Sequence, residues 1–272
     1  MTTHHLVDIA PNVAVWLADR PRHGHPNSGI VLDEDGAFTV IDGQPAPSAA
    51  TALLAAIEPG RVRRVVVTSS HVEFSGGTSV FTMAGVYGSA TASLNLDLPP
   101  NRDGYSRLLP EFAPEYAELT TRSVSHAVTD PAWLGRSAVA VPSQGHQDDN
   151  LVVQVPGTDV VFAGAMATFG VTPIAFDGDP AAWADALDAV IDLGRIIVPG
   201  HGPVGTTDDV IALQAYLWAC IEADGDPAAI PPGPWDDWDG REWDAVNVER
   251  AAMLAAGDPS PPPSMLRALG LA

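Results

Sequence analysis

Apolar residues occur in this chain both as short continuous runs and as longer stretches with helical periodicity. In the first half, two β-rich runs at 30–32 and 37–41 flank the turn sequence DEDG, which predicts a β-hairpin. The stretch PSAATALLAAIEPG then predicts a helix with Ser48 as its cap. The valine run at 65–67 predicts a strand buried on both faces. A helix between two strands favours parallel pairing in this half.

The second half has a similar order of elements. SAVAVPS, NLVVQVP and TDVVFAGA carry strand signals, and DPAAWADALDAVIDLG predicts a helix capped by Asp179 and ended by Gly194. RIIVPGHG is typical of another short buried strand, and the helix DDVIALQAYLWACIEA follows it. Hairpins followed by strand–helix units in both halves predict an α/β (α+β) fold. We expect a four-layer αββα sandwich, in which two mixed sheets pack face to face with helices outside.

Proline interrupts this pattern in two regions. The proline-rich stretch 96–122 is interpreted as an insertion that contains short helices. The later segment DPAAIPPGPWDDWDG is too rich in proline and glycine for regular structure, and a last predicted helix, REWDAVNVERAAMLAA, follows it. We therefore predict a main domain over 1–225 and a C-terminal helical extension over 226–272 that packs on it. Three tryptophans of the extension fit a packed cover, a lid over a pocket or a dimer contact: Trp235, Trp238 and Trp243.

Composition narrows the class of function. A formal net charge of −21 and a pI near 4.4 disfavour binding to nucleic acid or to an anionic membrane surface. No apolar run approaches the ~20 residues of a membrane-spanning helix. The single cysteine, Cys220, excludes an internal disulfide and a thiolate metal cluster. No secretory signal is visible, so we expect a cytoplasmic protein that acts on a small molecule, with a homodimer among the open oligomeric states.

Three histidines lie at the ends of predicted strands. His71 follows the 65–67 strand and precedes a Gly-Gly pair, His146 lies between two strands in SQGHQDD, and His201 follows a strand in VPGHGP. A rigid scaffold presents reactive side chains on the loops at strand ends. We therefore expect the three imidazoles to share one site.

These histidine motifs resemble those of a known family. TSSHVEFSGG, GHQDDNLVVQVPGTDVVFAGA and VPGHGP are similar, in this order, to motifs of the metallo-β-lactamase-fold hydrolases, and the resemblance covers roughly residues 10–220. The first family motif is His-x-His-x-Asp-His followed by Gly-Gly. A single histidine, an aspartate at a strand end and a Pro-Gly-His-Gly-Pro histidine come later. The resemblance implies an αββα fold and a site that uses bound metal to hydrolyse esters, thioesters, lactones or amides.

The chain keeps only part of the family's metal ligands. Ser69 stands at the first histidine position, Glu73 at the aspartate position and Phe74 at the last histidine position of the first motif. Ala165 stands where the family has the aspartate that bridges two metal ions. A two-metal site needs a bridging group and enough ligands for both ions. The resemblance therefore implies a degenerate site that does not hold a pair of ions.

Three interpretations of this site stay open. In the first, His71 and His146 hold one divalent ion of zinc, iron or manganese, with Glu73 or His201 as a further ligand. The protein then hydrolyses a small, uncharged or apolar ester, thioester, lactone or amide. In the second, no metal is bound and the same four side chains perform general acid–base catalysis. In the third, the protein is not an enzyme, and the pocket binds a small molecule or a partner protein.

Three further residues are candidates for substrate binding. Ser69 and Phe74 belong to the first motif, and Phe74 would make the pocket drier. His25 lies on a loop that the resemblance places near the pocket mouth, where it would substitute for a lost ligand. The alternative for His23 and His25 is an exposed polar loop. The serine pair 69–70 is also a candidate nucleophile, although the strand-to-helix elbow of serine hydrolases is absent from the sequence.

Overall fold

Two mixed β-sheets form the centre of the structure, a computed structural model that describes residues 3–271. Within this range the first sheet has its strands in sequence order: β1 His4–Ala10, β2 Val13–Ala18, β3 Ser28–Leu32, β4 Phe38–Ile41, β5 Val62–Val66, β6 Gly85–Ser89 and β7 His126–Val128. Neighbours from β1 to β4 pair antiparallel, and neighbours from β4 to β7 pair parallel. The predicted hairpin, β3–β4, and the parallel pairing after it are therefore confirmed.

The second sheet has the strand order β13-β12-β11-β10-β9-β8. Its strands are β8 Ala132–Leu134, β9 Ala138–Pro142, β10 Leu151–Val155, β11 Val160–Thr168, β12 Ile196–His201 and β13 Gly205–Thr206. Only β11 and β12 pair parallel, because the chain between them makes a long crossover, and the other neighbours pair antiparallel. The strand β12 continues as far as His201, which the sequence pattern placed just beyond it.

Helices connect these strands: α1 Pro47–Ala56, α2 Val72–Ser75, α3 Ala90–Leu96, α4 Arg102–Leu108, α5 Ala113–Tyr116, α6 Pro180–Leu193, α7 Thr207–Glu222, α8 Asp244–Ala255 and α9 Pro263–Ala268. The helices α3, α4 and α5 lie in or beside the predicted insertion. They are short, because proline cannot continue the hydrogen-bonded interior of a helix. No helix in residues 3–271 has the length and apolar character needed to cross a bilayer.

Hydrophobic side chains fill the space between the sheets and cover their outer faces. Val66 of β5 and Phe162 of β11 belong to the cluster between the sheets. Phe162 approaches β3 so closely that a Cβ on Gly29 would lie 2.4 Å from its ring, which only glycine avoids. Leu53 of α1 packs on the outer face of the first sheet, and Leu187 of α6 packs with α7 on that of the second. The predicted αββα sandwich is confirmed.

The helix ends show where local sequence signals were sufficient. The Asp179 side chain accepts hydrogen bonds from the backbone N–H groups at the start of α6, including Ala181 N at 2.9 Å, as its capping position predicts. The predicted cap of α1 is wrong. Ala46 occupies the cap position, and Ser48 lies inside the first turn. The reason is Pro47, whose fixed φ and missing N–H suit the first helical position.

The C-terminal extension packs against α6 and α7. Trp235 and Val248 belong to the same buried cluster as those helices, and the Trp235 ring lies 5.8 Å from the Tyr216 ring of α7. The last predicted helix appears as α8, and α9 forms in a tail for which the pattern indicated no helix. Trp235 therefore belongs to a cover packed on the sandwich, and Val246 of α8 and Met265 of α9 form a smaller buried cluster nearby.

A buried carboxyl at the end of β4 is expected to make stability depend on pH. Burial raises the pKa of Asp42 to about 7, although Thr68 donates to it from both its backbone N–H and its hydroxyl. The folded state therefore binds more protons than the unfolded state above the ordinary carboxyl pKa, and the free energy of unfolding falls as the pH rises towards 7. Asp42→Asn removes this titration and tolerates the left-handed backbone, φ 68°.

Urea unfolding of the wild type and Asp42→Asn at pH 5 and pH 8 tests this expectation. The free energy of unfolding of the variant minus that of the wild type should increase by about 2 kcal/mol from pH 5 to pH 8, because the wild type loses stability as Asp42 ionises. A difference that is the same at both pH values would show that Asp42 titrates normally in the folded protein.

Candidate active site

A narrow cavity of about 30 Å³ lies beside the ends of β5, β11 and β12. The four side chains predicted for catalysis all line it: His71, Glu73, His146 and His201. Phe74 and Ala165, for which the resemblance implied lost ligands, line it as well. A space of this size accommodates an ion and a water molecule but not a whole organic substrate. The structure therefore brings the predicted residues together around a site of atomic dimensions.

The first motif reaches the cavity through a tight turn after β5. His71 stands at the N-terminal cap of the short helix α2, and Glu73 lies in its first turn. The following Gly-Gly pair lets this helix approach the chain after β4, because a Cβ on Gly77 would lie 2.2 Å from the carbonyl oxygen of Gly43. Ser69 is fully buried below the turn, where its Oγ accepts the His71 N–H at 3.2 Å. Ser69 thus orients the turn and does not line the cavity.

One group of potential metal ligands converges inside the cavity. The ligand atoms of His23, Glu73 and His201 all lie within 4.8 Å of one another. Within residues 3–271 this is the only group of three or more potential ligands that lies so close together. His201 Nε2 lies 3.4 Å from Glu73 Oε1. His201 Nε2 is buried, and no atom of the described residues forms a hydrogen bond with it. The backbone N–H of Gly24 donates to Glu73 Oε1 at 2.6 Å and holds the carboxylate in place.

His23 is held in the state that a metal ligand requires. Its Nε2 lies 2.7 Å from the carbonyl oxygen of Thr172, and a carbonyl only accepts, so Nε2 carries the hydrogen. Burial, followed by the charge of His201, lowers the pKa of His23 to about 4. Nδ1 of the neutral ring is therefore unprotonated and available to bind an ion.

The structure corrects the interpretation of the RHGHPNSG loop. His25 was the candidate for a substitute ligand, with an exposed loop as the alternative, but His25 Nε2 lies 2.9 Å from Glu111 Oε1 and does not line the cavity. His23, which was grouped with it as part of an exposed loop, is the residue that reaches Glu73 and His201. Gly24 between them has φ 81°, so the chain turns there and the side chains of His23 and His25 point in different directions. No local signal in the sequence distinguishes them.

His71 and His146 form a second group beside the first. The Nε2–H of His71 donates to Asp177 Oδ2 at 3.0 Å, and Gln147 donates to the same oxygen. The His71 and His146 rings meet edge to face, 5.0 Å apart. His146 Nδ1 is buried, and it has no hydrogen-bond partner within residues 3–271. The predicted ligand set of His71, His146 and His201 is therefore split: His71 is engaged by Asp177, and His201 belongs with His23 and Glu73.

Burial and ion pairing set the charges of these groups in opposite directions. Burial alone would lower the pKa of His71, but the Asp177 carboxylate outweighs it and raises the pKa to about 9. Burial and then the charge of His71 lower the pKa of His146 to about 4. Burial alone would raise the pKa of Glu73, but the adjacent His201 outweighs it and lowers the pKa well below its usual range. At neutral pH the cavity therefore contains a charged His71, a neutral His146 and an ionised Glu73.

One loop holds two site residues that the sequence did not single out, Asp177 and Thr172. Asp177 lies in the segment between β11 and α6 and contacts His71. Thr172 of the same segment fixes the His23 ring, and Trp243 of the extension lies 6.3 Å from that ring. The only available signal for this loop was the first aspartate of AFDGDP, Asp177, and from sequence alone such an aspartate cannot be distinguished from an ordinary turn residue.

Solved structures with the same arrangement of sheets and helices are metallo-β-lactamases. FIM-1 from Pseudomonas aeruginosa, in its mono-zinc form, has a TM-score of 0.62 and 22% identity, and the match covers 84% of this chain and 97% of that one. TMB-1 has a TM-score of 0.64 and 17% identity, with 80% and 98% covered. The protein has the metallo-β-lactamase fold.

Sequence comparison agrees at low identity. Type 2 metallo-β-lactamases of Bacillus sp. (strain 170) and Bacillus cereus are each 23% identical over 192 residues, which are 66% of this chain and 68% of each relative. That of Bacteroides fragilis is 34% identical over 89 residues, 30% of this chain and 36% of the relative. No protein-family model matches the chain. This level of similarity supports the metallo-β-lactamase fold, while the site must be judged from its own residues.

The donor atoms of this site fit one ion better than two. Two imidazoles and one carboxylate are an established ligand set for catalytic zinc, which leaves a position open for water or substrate. His23, Glu73 and His201 would supply this set, and the buried Nε2 of His201, which has no hydrogen-bond partner in the described part of the chain, would donate its lone pair to the ion. Ala165 lines the cavity but offers no atom that bridges a second ion.

Proposed function

We propose that this protein is a hydrolase that cleaves a small, uncharged ester, thioester, lactone or amide with one divalent metal ion. The observation that supports this proposal is the convergence of His23, Glu73 and His201 within 4.8 Å, in a cavity that His71 and His146 also line. Zinc suits this nitrogen and oxygen donor set, and iron or manganese are the alternatives that we considered from the sequence. When bound, such an ion supplies polarisation of a carbonyl group and activation of water.

The remaining residues of the cavity provide positioning and charge. Asp177 accepts the hydrogen bond from His71 Nε2–H and so orients the imidazole. We expect the charged imidazole to stabilise negative charge that develops on the substrate oxygen. His146 Nδ1 has no partner in the described residues and is the atom that we expect to exchange a proton with the substrate. Phe74 and Ile174 line the cavity and exclude bulk water.

The charge of the cavity favours an uncharged substrate. Its described lining contains no arginine, and the chain has no lysine. The carboxylates of Glu73 and Asp177 lie close by, within a protein of net charge −21. An anionic substrate, such as the β-lactams after which the relatives are named, would meet only one cationic side chain in the described lining, His71, whose charge the Asp177 carboxylate already balances.

Hydrolysis assays with the Glu73→Gln variant test this proposal. We expect the zinc-loaded wild type to hydrolyse p-nitrophenyl butyrate, and kcat/KM to fall about 100-fold or more in the variant, because even residues that only support metal ligands contribute about 10–100-fold. Glu111→Gln is the matched control, since Glu111 contacts His25 outside the cavity.

Two results would contradict the proposal. One is an unchanged kcat/KM in Glu73→Gln. The other is a wild type that is inactive on neutral esters, thioesters, lactones and amides with zinc, iron and manganese, which would support the non-catalytic binding protein instead.

A further inference from the structure

A second, larger cavity adjoins the active site and has no assigned occupant. It is a groove of about 310 Å³, at the lower end of the ~300–1,000 Å³ that is typical of small-molecule sites. We propose that this groove is a substrate subsite that binds the uncharged, largely apolar part of the substrate beyond the bond that is cleaved. This inference rests on the proposed function and specifies the class of substrate that the site accepts.

Continuity with the catalytic cavity supports this assignment. Three side chains line both spaces: His71, Leu108 and Phe176. The Phe176 ring stacks on His71 with a centroid distance of 5.6 Å, and His71 in turn faces His146. The catalytic cavity has room for an ion and a water but not for a substrate body. A substrate whose carbonyl group enters the cavity must therefore place the rest of its atoms outside it, and the groove is the adjoining space.

The lining of the groove matches a neutral ligand. Tyr105, Met265 and Leu269 provide apolar surface, and Ser70 and Asn95 provide neutral hydrogen-bonding groups. The only charged pair in its described lining is Asp177 with His71, in which each charge already has its partner. An anionic tail would meet no free cation, and a cationic tail no free anion. Uncharged chains or rings avoid both desolvation penalties.

The C-terminal extension supplies one wall of this groove. Met265 and Leu269 both come from the α9 end of the extension. Met265 is 2% exposed and packs with Ile174, which lines the catalytic cavity. Leu269 follows the last residue of this helix and is half-buried. It lines the groove but not the catalytic cavity, so a larger side chain at 269 narrows the groove without entering the cavity.

A chain-length assay with Leu269→Trp tests the groove. The measured quantity is the ratio of kcat/KM for p-nitrophenyl hexanoate to that for p-nitrophenyl acetate. We expect this ratio to fall at least tenfold in Leu269→Trp, because the indole occupies the space of the longer chain. Leu271→Trp is the matched control: Leu271 is 56% exposed and lies outside the groove, so the ratio should stay at its wild-type value. A wild-type ratio in Leu269→Trp would overturn the inference.

A binding experiment separates this inference from the proposed function. Saturation-transfer NMR on the wild type without added metal should detect 2-octanone, and Leu269→Trp should weaken its binding at least fivefold. Octanoate should not bind. If these results are obtained while no ester is hydrolysed, the groove is a binding site for uncharged ligands and the proposed hydrolase function is wrong. Equal binding of octanoate and 2-octanone would overturn the preference for uncharged groups.

Discussion

Replacing His23 with alanine should weaken zinc binding by about 100-fold or more, whereas replacing His25 should leave it within about threefold. The two histidines are separated only by Gly24, yet one lies with Glu73 and His201 while the other contacts Glu111. Removing His23 leaves two protein ligands, which is fewer than a catalytic zinc site normally has. Removing His25 takes away no donor atom of the cavity.

Zinc affinity of the purified variants, measured by competition with a chromogenic chelator, provides the test. The stoichiometry in the wild type should be one zinc per chain. His71→Ala is a useful third variant, because His71 donates to Asp177 and is expected to affect zinc affinity less than His23 does. Equal losses in His23→Ala and His25→Ala, or a loss confined to His71→Ala, would show that the metal lies elsewhere. Two tightly bound zinc ions would contradict the single site.

Replacing Asn247 with alanine should lower the free energy of unfolding by about 3 kcal/mol. Asn247 of α8 is fully buried, and its side chain fastens the loop between β11 and α6. Its Oδ1 accepts from Ala175 N at 2.8 Å, and its Nδ2 donates to Pro173 O at 2.7 Å and to the Tyr216 hydroxyl at 3.0 Å. Alanine would remove all three hydrogen bonds: Ala175 N and Pro173 O would lose this buried partner, and the Tyr216 hydroxyl would keep only its bond to Asp244. We expect a cost of about 1 kcal/mol or more for each lost bond.

The same substitution should also affect the site. The loop that Asn247 fastens presents Thr172 to His23 and Asp177 to His71, so zinc affinity should fall together with stability. Urea unfolding measures the first effect and chelator competition the second. Asn95→Ala is the control of the same residue type, because its exposed amide should change stability by less than about 0.5 kcal/mol. A loss below 1 kcal/mol in Asn247→Ala would show that the loop holds its own conformation.

Local patterns were sufficient to predict the framework of this fold. The valine run at 65–67 and the capping aspartate at 179 act through burial and through hydrogen bonds within a few residues, so both elements could be predicted from the sequence. Short edge elements such as β7 and β8 were not predicted, because three-residue strands carry too little periodicity. Ser48 failed as a cap because a neighbouring proline set the helix start instead.

The sequence predicted part of the site's membership but not its grouping. His71 and His146 follow strands and His201 ends one, and strand ends at one edge of the sandwich bring the three to one cavity. Which atoms face each other depends on the paths of connecting loops. His23 enters the metal group through a loop held by Thr172, about 150 positions later in the chain. No spacing rule links residues over such a distance.

By itself, the amino-acid sequence determined the αββα arrangement, through local periodicity, and excluded a thiolate metal cluster, through its single cysteine. That Ala165 stands where a bridging carboxylate is expected is what the resemblance implied. The tertiary structure alone decided that His23 lies with Glu73 and His201, that Asp177 engages His71, and that Met265 of α9 and Leu269 after it line the adjoining groove. These outcomes follow from contacts between segments far apart in sequence, where side-chain direction is set by packing.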